Sequence, residues 1–519
     1  MEQIVELKLL PKEAVDEQLI LERAAKKCRI TTAQVADIQY LKRSIDARGS
    51  RPFIRLRTQI STDTTFAPKP SVISTFQEVS DAPEVLIIGA GPAGYFAALE
   101  CLALGYKPVL LDRGKTVRDR LADIRAVQRF GQVHPDSNYC FGEGGAGTYS
   151  DGKLYTRSHK RGKIEKVLQL LVEHGAKSDI LIDAHPHIGS NKLPPIIANI
   201  RATILKYGGE IHFGKRVNDF IIYNQKIIGV VANQKESYYA KAVVLATGHS
   251  ARDIYRLLHQ KQIYIEAKPF ALGVRIEHPQ ALIDEIQYNQ RPREKDLPAS
   301  SYKLVSQVKG RGVFSFCMCP GGLIVPAATA PGELVVNGMS LSRRNSAFAN
   351  SGTVVGVELE DLKGYQKHGV FAALALQKSV EQSVFQFGDG SQKAPAQRLE
   401  DFVTGKVSSD LPSTSYLPGV YAAPLHQLLP DSIYERLRQG VLDFGKKMKG
   451  YYTSEAIVVG TESRTSSPIR IPRNRETYMH EQIEGLFPCG EGAGYAGGIL
   501  SAAMDGQNVI KAVGKWMEG

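Results

Sequence analysis

The chain has 519 residues, 43% of them hydrophobic and 23% charged, which places it among folded globular proteins and makes it too long for one ordinary core. Its formal net charge of +12 favours anionic partners, yet the lysines and arginines are spread along the chain, so a solvated basic surface is the plainer expectation and nucleic acid is disfavoured. Six cysteines with no Cys-x-x-Cys and no Cys/His cluster at zinc spacing argue against a disulfide framework and a structural metal.

At the N-terminus, "MEQIVELKLLPKEAVDEQ" is acidic where a secretory signal needs basic residues, and no long apolar core follows, so a cytoplasmic protein is expected. Residues 1–60 read as a small module. "EQIVELKLL" alternates as a strand and "DEQLILERAAKKC" has helical spacing, while "AQVADIQYLKRSID" and "PFIRLRTQIS" read as two strands around an Ala-Arg-Gly-Ser turn. That β-α-β-β order suggests a ferredoxin-like α+β unit, and a protein partner could dock through it. Residues 61–83, rich in Ser, Thr and Pro, read as a linker.

Next comes "EVLIIGAGPAGYFAALECLALGYKPVLLDRG", whose apolar stretch Val85–Leu104 is broken by three glycines, a proline and a glutamate and is no membrane span. A short apolar strand leads into Gly89, Gly91 and Gly94, the spacing G-x-G-x-x-G, then a helical run and a second strand ending in Asp112. The first glycine makes the tight turn, the second lets backbone reach a pyrophosphate, and the third lets helix and strand pack closely. Asp112, 18 residues after Gly94, is placed to accept ribose hydroxyls and disfavours a 2′-phosphate, so FAD or NAD is expected rather than NADP. Pro92, Ala93 and Arg113 join the expected dinucleotide site as neighbours of these residues.

"CFGEGGAGTYSDGK" (140–153) is glycine-crowded but follows no apolar strand, so it is not a second fingerprint. Residues 208–250 contain about four short strands, the last being "AVVLATG". Residues 252–455 mix strand-like pieces with helical runs near Val370–Phe387 and Asp431–Lys449. The C-terminal "GLFPCGEGAGYAGGILSAAMDG" combines a strand, Gly-Glu, more glycines and a helix.

The Rossmann turn, the meander into Ala-Thr-Gly and this C-terminal motif together resemble the glutathione-reductase-like FAD superfamily. At closer range, "FGEGGAGTYSDGKL", "KPFALGVRIEHP", "FSFCMCPGG", "VNGMSLSRRNSAFANS", "TESRTSSPIRIPR" and "GEGAGYAGGILSAAMDG" resemble bacterial, functionally uncharacterised FAD-dependent dehydrogenases over nearly the whole chain. The resemblance implies FAD. It places Val217 against the adenine, Thr247 and Gly248 at the cofactor, and Glu491 with Gly490 at the ribityl chain. Gly145 and Gly147 would lie near the isoalloxazine ring, and the helix opening at Gly497, Gly498 and Ile499 would face the flavin's pyrimidine edge. The implied fold is α/β: a Rossmann-like FAD-binding domain with a three-layer ββα sheet from 84–251 and 456–519, and an inserted α+β substrate domain at 252–455.

Candidates for the chemistry are fewer. Arg464 and Arg470, in "TESRTSSPIRIPRNR", could clamp an anionic substrate, since arginine's planar fork suits carboxylates; Arg343 and Arg344 are weaker alternatives. His278 could move a proton. Lys153, with Tyr155, could face the flavin. Cys317 and Cys319 would lie on one face of an extended strand about 6.6 Å apart, near the upper limit for a disulfide. The expectation is therefore an FAD-dependent oxidoreductase passing hydride through flavin N5 to or from a small, anionic substrate, with NADH or NADPH docking transiently if at all. A flavoenzyme acting on RNA and a non-catalytic redox sensor are the alternatives.

Overall fold

The structure, a computed structural model, describes residues 1–155 and 164–519. At its centre is a five-stranded parallel sheet in the order Leu486–Pro488, Ala242–Leu245, Glu84–Ile88, Lys107–Leu111, Glu210–His212. Most of these strands are short apolar runs, as strands covered on both faces must be. Alternation divides their side chains between two cores. Val85, Ile87, Leu110 and Val244 face the helices Pro92–Leu104, Leu193–Lys206 and Ile499–Glu518, meeting Ala97, Ile196, Ile200 and Val509. Leu86, Ile88, Val109 and Val243 face the antiparallel meander Val217–Tyr223, Lys226–Ala232, Glu236–Tyr239, meeting Phe220, Ile227 and Val230. This is the expected three-layer ββα arrangement, with a Rossmann-like strand–turn–helix–strand at its heart.

A seven-stranded mixed sheet forms the second half, in the order Val305–Val308, Arg311–Cys319, Phe348–Val357, Phe270–Pro279, Ile457–Glu462, Ala394–Arg398, Val420–Ala422. Helices Ala372–Phe387 and Asp431–Lys447 cover it through Val380, Val384, Leu437 and Val441. One expected boundary moves. The strand Ile457–Glu462 lies past residue 456 yet pairs with Phe270–Pro279, so the chain leaves this sheet only after Glu462. An apolar buried strand reads the same whichever sheet it joins.

The N-terminal strands pair antiparallel in the order Glu2–Leu9, Phe53–Ser61, Asp37–Asp46. Helix Glu17–Cys28 covers one face through Ile20 and Ala24 on Leu7, Leu56 and Ile60. The module therefore has the first four of the six elements of a ferredoxin-like fold. Arg43 fastens the module to the body: its Nε donates to Asp183 (2.7 Å) and its backbone N–H to the Ile182 carbonyl (2.8 Å). The expected linker is likewise packed down, with Phe76 and Val79 in the helix-side core.

Candidate cofactor-binding and active site

The first glycine turn is built for close contact. Gly89 has φ +107°, and a Cβ there would lie 2.5 Å from the Ala246 carbonyl oxygen; a Cβ on Gly94 would lie 1.9 Å from the Gly89 oxygen. Gly94 therefore sets how closely the helix seats on its turn. Asp112 pins the same turn by accepting from the Ala90 and Gly114 N–H groups, both at 2.8 Å. A carboxylate has about four acceptor positions, so two hydrogen bonds leave capacity for ribose hydroxyls.

The second glycine loop leans directly on the first. The Gly144 N–H donates to the Ala90 oxygen at 2.8 Å, and a Cβ on Gly145 would come within 3.1 Å of the Gly91 Cα. Arg120, fully buried, holds this loop from behind by donating to the backbone oxygens of Asn138, Gly142 and Glu143. Glu143 accepts from Tyr95 Oη and the Val117 N–H, each at 2.7 Å, and pairs with Arg201 at 3.3 Å. The glutamate of this Gly-Glu-Gly is thus a buried brace.

Its counterpart Glu491 lines a cleft. Burial pushes its carboxyl up to about 7, and His249 Nε2 stands 4.0 Å away. The surrounding loop is anchored by Asp505, which accepts from the Gly490 N–H (2.7 Å) and takes a bidentate grip from Arg473 (2.6 and 3.0 Å). A Cβ on Gly492 would meet the Gly248 oxygen at 2.6 Å, so the Gly-Glu-Gly and Ala-Thr-Gly loops also touch. Gly498, with φ +127°, precedes the helix Ile499–Glu518, and a Cβ there would meet nothing within 4 Å. The helix end therefore opens onto free space carrying its positive N-terminal potential.

All of this converges on one cleft of about 400 Å³, within the range of cofactor and small-molecule sites. Of the sequence-predicted residues, Gly89, Gly91, Pro92, Ala93, Asp112, Arg113, Gly145, Gly147, Val217, Thr247, Gly248, Glu491, Gly497, Gly498 and Ile499 line it. Gly94 and Gly490 stand just behind, shaping the loops rather than facing the space. Lys153 lines the opposite wall with Phe316, Cys317, Asn337 and Gly338. Arg113 is held there by Asp136 and Asp253 (2.8 and 2.9 Å) and stacks its guanidinium 4.3 Å from the centre of the Phe141 ring.

Three catalytic expectations are corrected. Arg464 touches the cleft edge, but its charge is already spent inward on Glu333 (2.8 Å) and Glu381 (3.1 Å) beside Arg252, a buried network joining the two halves. Burial alone would raise the Glu381 carboxyl, yet Arg464 and Arg252 outweigh it and hold it at about 2. Arg470 lies on the short edge strand Ile469–Arg470, 44% exposed and 3.9 Å from Glu266, away from the cleft. His278 is fully buried in the seven-stranded sheet between Tyr302 and Tyr451; its Nε2 bonds the Tyr451 oxygen, and burial lowers it to about 4. Arg470 and His278 therefore do not line the cleft.

His249 and Arg120 escaped the sequence reading. His249 follows the Ala-Thr-Gly directly, which is the signal that could have found it; burial lowers it to about 4, keeping it neutral at the cleft wall. Arg120 gave none, since an arginine on an amphipathic helix reads as solvent-facing. Among the described residues no cluster of His, Cys, Asp and Glu could hold a metal, and no helix is long and apolar enough to cross a membrane.

Sheet, turns and cleft define a dinucleotide-binding flavoprotein, and the comparisons agree. Residues 83–255 match the family model described as pyridine nucleotide-disulphide oxidoreductase, residues 269–465 match that of the FAD-dependent protein C-terminal domain-like family, and residues 1–61 match a domain of unknown function. These are FAD-dependent oxidoreductase-like families, and FAD is the cofactor. The chain is 37% identical over 520 residues to an uncharacterized protein of Clostridium beijerinckii, covering 96% of each, and it belongs to that protein's family. Solved structures similar to it include the flavin-dependent brominase Bmp2 (14% identity, 84% of this chain and 79% of that chain, TM-score 0.34). CtdE in complex with FAD and substrate is another (10% identity, 83% and 80%, TM-score 0.34).

Proposed function

We propose that the protein is a dehydrogenase-type FAD oxidoreductase of glutathione-reductase-like architecture, acting on a small molecule admitted between the glycine loops and the wall that carries Lys153. The observation that carries this reading is the convergence of three glycine loops and an open helix N-terminus on one cleft, where added side chains would collide with backbone at Gly89 and find only open space at Gly498. The turn Gly89–Gly94 and the helix behind it would hold the pyrophosphate, Asp112 the ribose, and Val217 the adenine. Glu491 would hold the ribityl chain, with Gly497–Ile499 at the flavin's pyrimidine edge. FAD, when bound, supplies two-electron transfer through N5. The protein's own part is to place the substrate, exclude water and set the local charge.

With Arg464 paired internally, Lys153 is the cation of that wall that would meet an anionic substrate. Burial opposes its charge, but Cys317 and Asp151 keep its ammonium protonated, and its Nζ donates to the Met318 backbone oxygen. With no second G-x-G-x-x-G after an apolar strand, a nicotinamide would have to dock over this same wall. The test is anaerobic mixing of the yellow holoprotein with NADH, NADPH and fractionated metabolites. Rapid bleaching that saturates with one small molecule, and saturates more weakly in Lys153→Met, supports the reading; bleaching by none of them overturns it.

A further inference from the structure

The strand Arg311–Cys319 does not stay regular. Its pairing with Phe348–Val357 slips between Phe316 and Cys319, and Cys317 inside the bulge has φ +44°, a left-handed backbone that a non-glycine residue adopts at a cost. The regular-strand expectation put Cys317 and Cys319 near the upper limit for a disulfide. The left-handed residue departs from the extended geometry on which that spacing rests.

The two cysteines are also unequal. Cys317 is half-buried and lines the cleft beside Phe316 and Lys153, whereas Cys319 is fully buried behind it. Two cations flank the pair: Lys153, and the wholly buried Arg275, whose guanidinium donates to the Cys317 oxygen at 2.9 Å and reaches the Cys319 sulfur at 3.7 Å. The Cys319 sulfur stands 3.2 Å from the Cys317 backbone carbonyl oxygen, one of two acceptors within reach of its single hydrogen. A separate hydrogen bond between the two thiol side chains, opposed by burial and helped by Lys153 and Arg275, holds the Cys317 thiol well below its ordinary range. The same hydrogen bond, with burial, raises Cys319. A thiolate facing the open space with a protonated thiol behind it is the division of labour that thiol–disulfide chemistry needs.

We propose that Cys317 and Cys319 form a redox-active dithiol/disulfide couple that exchanges an electron pair with the flavin. The inference rests on the proposed placement of FAD in this cleft. In the oxidising direction the Cys317 thiolate and the Cys319 thiol become a disulfide, and oxidised FAD takes the electron pair together with the Cys319 hydrogen as its singly protonated reduced form. Charge and hydrogen balance, and no further oxidant is required. The pair stands on the second sheet, outside residues 83–255, so this is a second redox centre rather than part of the dinucleotide fingerprint.

The test uses FAD-loaded protein oxidised with diamide and freed of reagent. Anaerobic titration with dithionite should consume twice as much reductant per bound FAD in the wild type as in Cys317→Ser or Cys319→Ser. Mass spectrometry of the oxidised wild type should show the peptide spanning both cysteines lighter by two hydrogens and resistant to iodoacetamide. A long-wavelength absorbance from thiolate against oxidised flavin should appear in the wild type only after two electrons have been added, be present in Cys319→Ser without reduction, and be absent in Cys317→Ser. Equal reductant consumption in wild type and variants, or a disulfide that forms but does not draw electrons from reduced flavin, overturns the proposal. If no variant or wild type retains FAD, it is the cofactor reading that fails; the peptide mass still reports the couple, and an unchanged mass overturns it.

Discussion

Replacing Arg464 by alanine separates two roles that the sequence alone leaves equivalent. In the structure its guanidinium, 4% exposed, serves Glu333 and Glu381, themselves 5% and 0% exposed, with Thr329 accepting a further hydrogen bond. Removing it leaves Arg252 facing two buried carboxylates, so one negative charge loses its compensation. Breaking a buried pair in this way costs about 3–5 kcal/mol. Linkage gives a similar figure: Glu381 is held at about 2 against an ordinary 4.5, which corresponds to about 3 kcal/mol at neutral pH. The sign follows from the lowered carboxyl. In the wild type this contribution is fully present above about 4.5 and is lost as pH falls toward 2; in Arg464→Ala it is largely absent at pH 7, so the deficit narrows on acidification. Urea denaturation of wild type and variant at pH 7 and at about pH 3, inside that window, measures both. A variant as stable as wild type at pH 7, with substrate saturation weakened and nothing else changed, would refute the internal role and restore Arg464 as an anion clamp.

Gly94→Ala should abolish FAD retention, because its Cβ would sit 1.9 Å from the Gly89 oxygen and the helix would have to lift off the turn; flavin released per mole of denatured protein measures this. Glu491→Gln should flatten a pH dependence of the FAD-free protein. A carboxyl raised to about 7 makes folded stability fall as pH rises from about 4.5 through 7, and a glutamine has no proton to lose, so stability measured by thermal denaturation across that window should fall less steeply in the variant, while Glu462, also raised to about 7, keeps a slope in both. His278→Phe should cost about 1–3 kcal/mol by leaving the buried Tyr451 oxygen unpaired, while the pH profile of turnover stays where it is.

Legibility in the sequence tracked how local the physical cause was. Gly89, Gly91, Gly94 and Asp112 act within one strand–turn–helix–strand unit, so their spacing alone locates the turn. The meander and the Gly-Glu-Gly loops were readable for the same reason. Arg464 was not, because its partners Glu333 and Glu381 lie 131 and 83 residues away and nothing in "TESRTSSP" distinguishes an inward guanidinium from a substrate-facing one. His278 alternates correctly for a strand, but which neighbour covers each face is decided by Tyr302 and Tyr451 from distant segments. The bulge at Cys317 breaks a pattern that reads as regular strand, and the sheet membership of Ile457–Glu462 depends on pairing rather than composition.

The proposed site holds a single FAD between the turns at Gly89–Gly94, Gly144–Gly147 and Gly490–Gly498. Fluorescence titration of FAD into flavin-stripped protein tests it most directly. Saturation at one FAD per chain, abolished by Gly94→Ala, is the expected result; a folded protein that takes up no FAD, or takes it up equally well with alanine at residue 94, would contradict the proposed site.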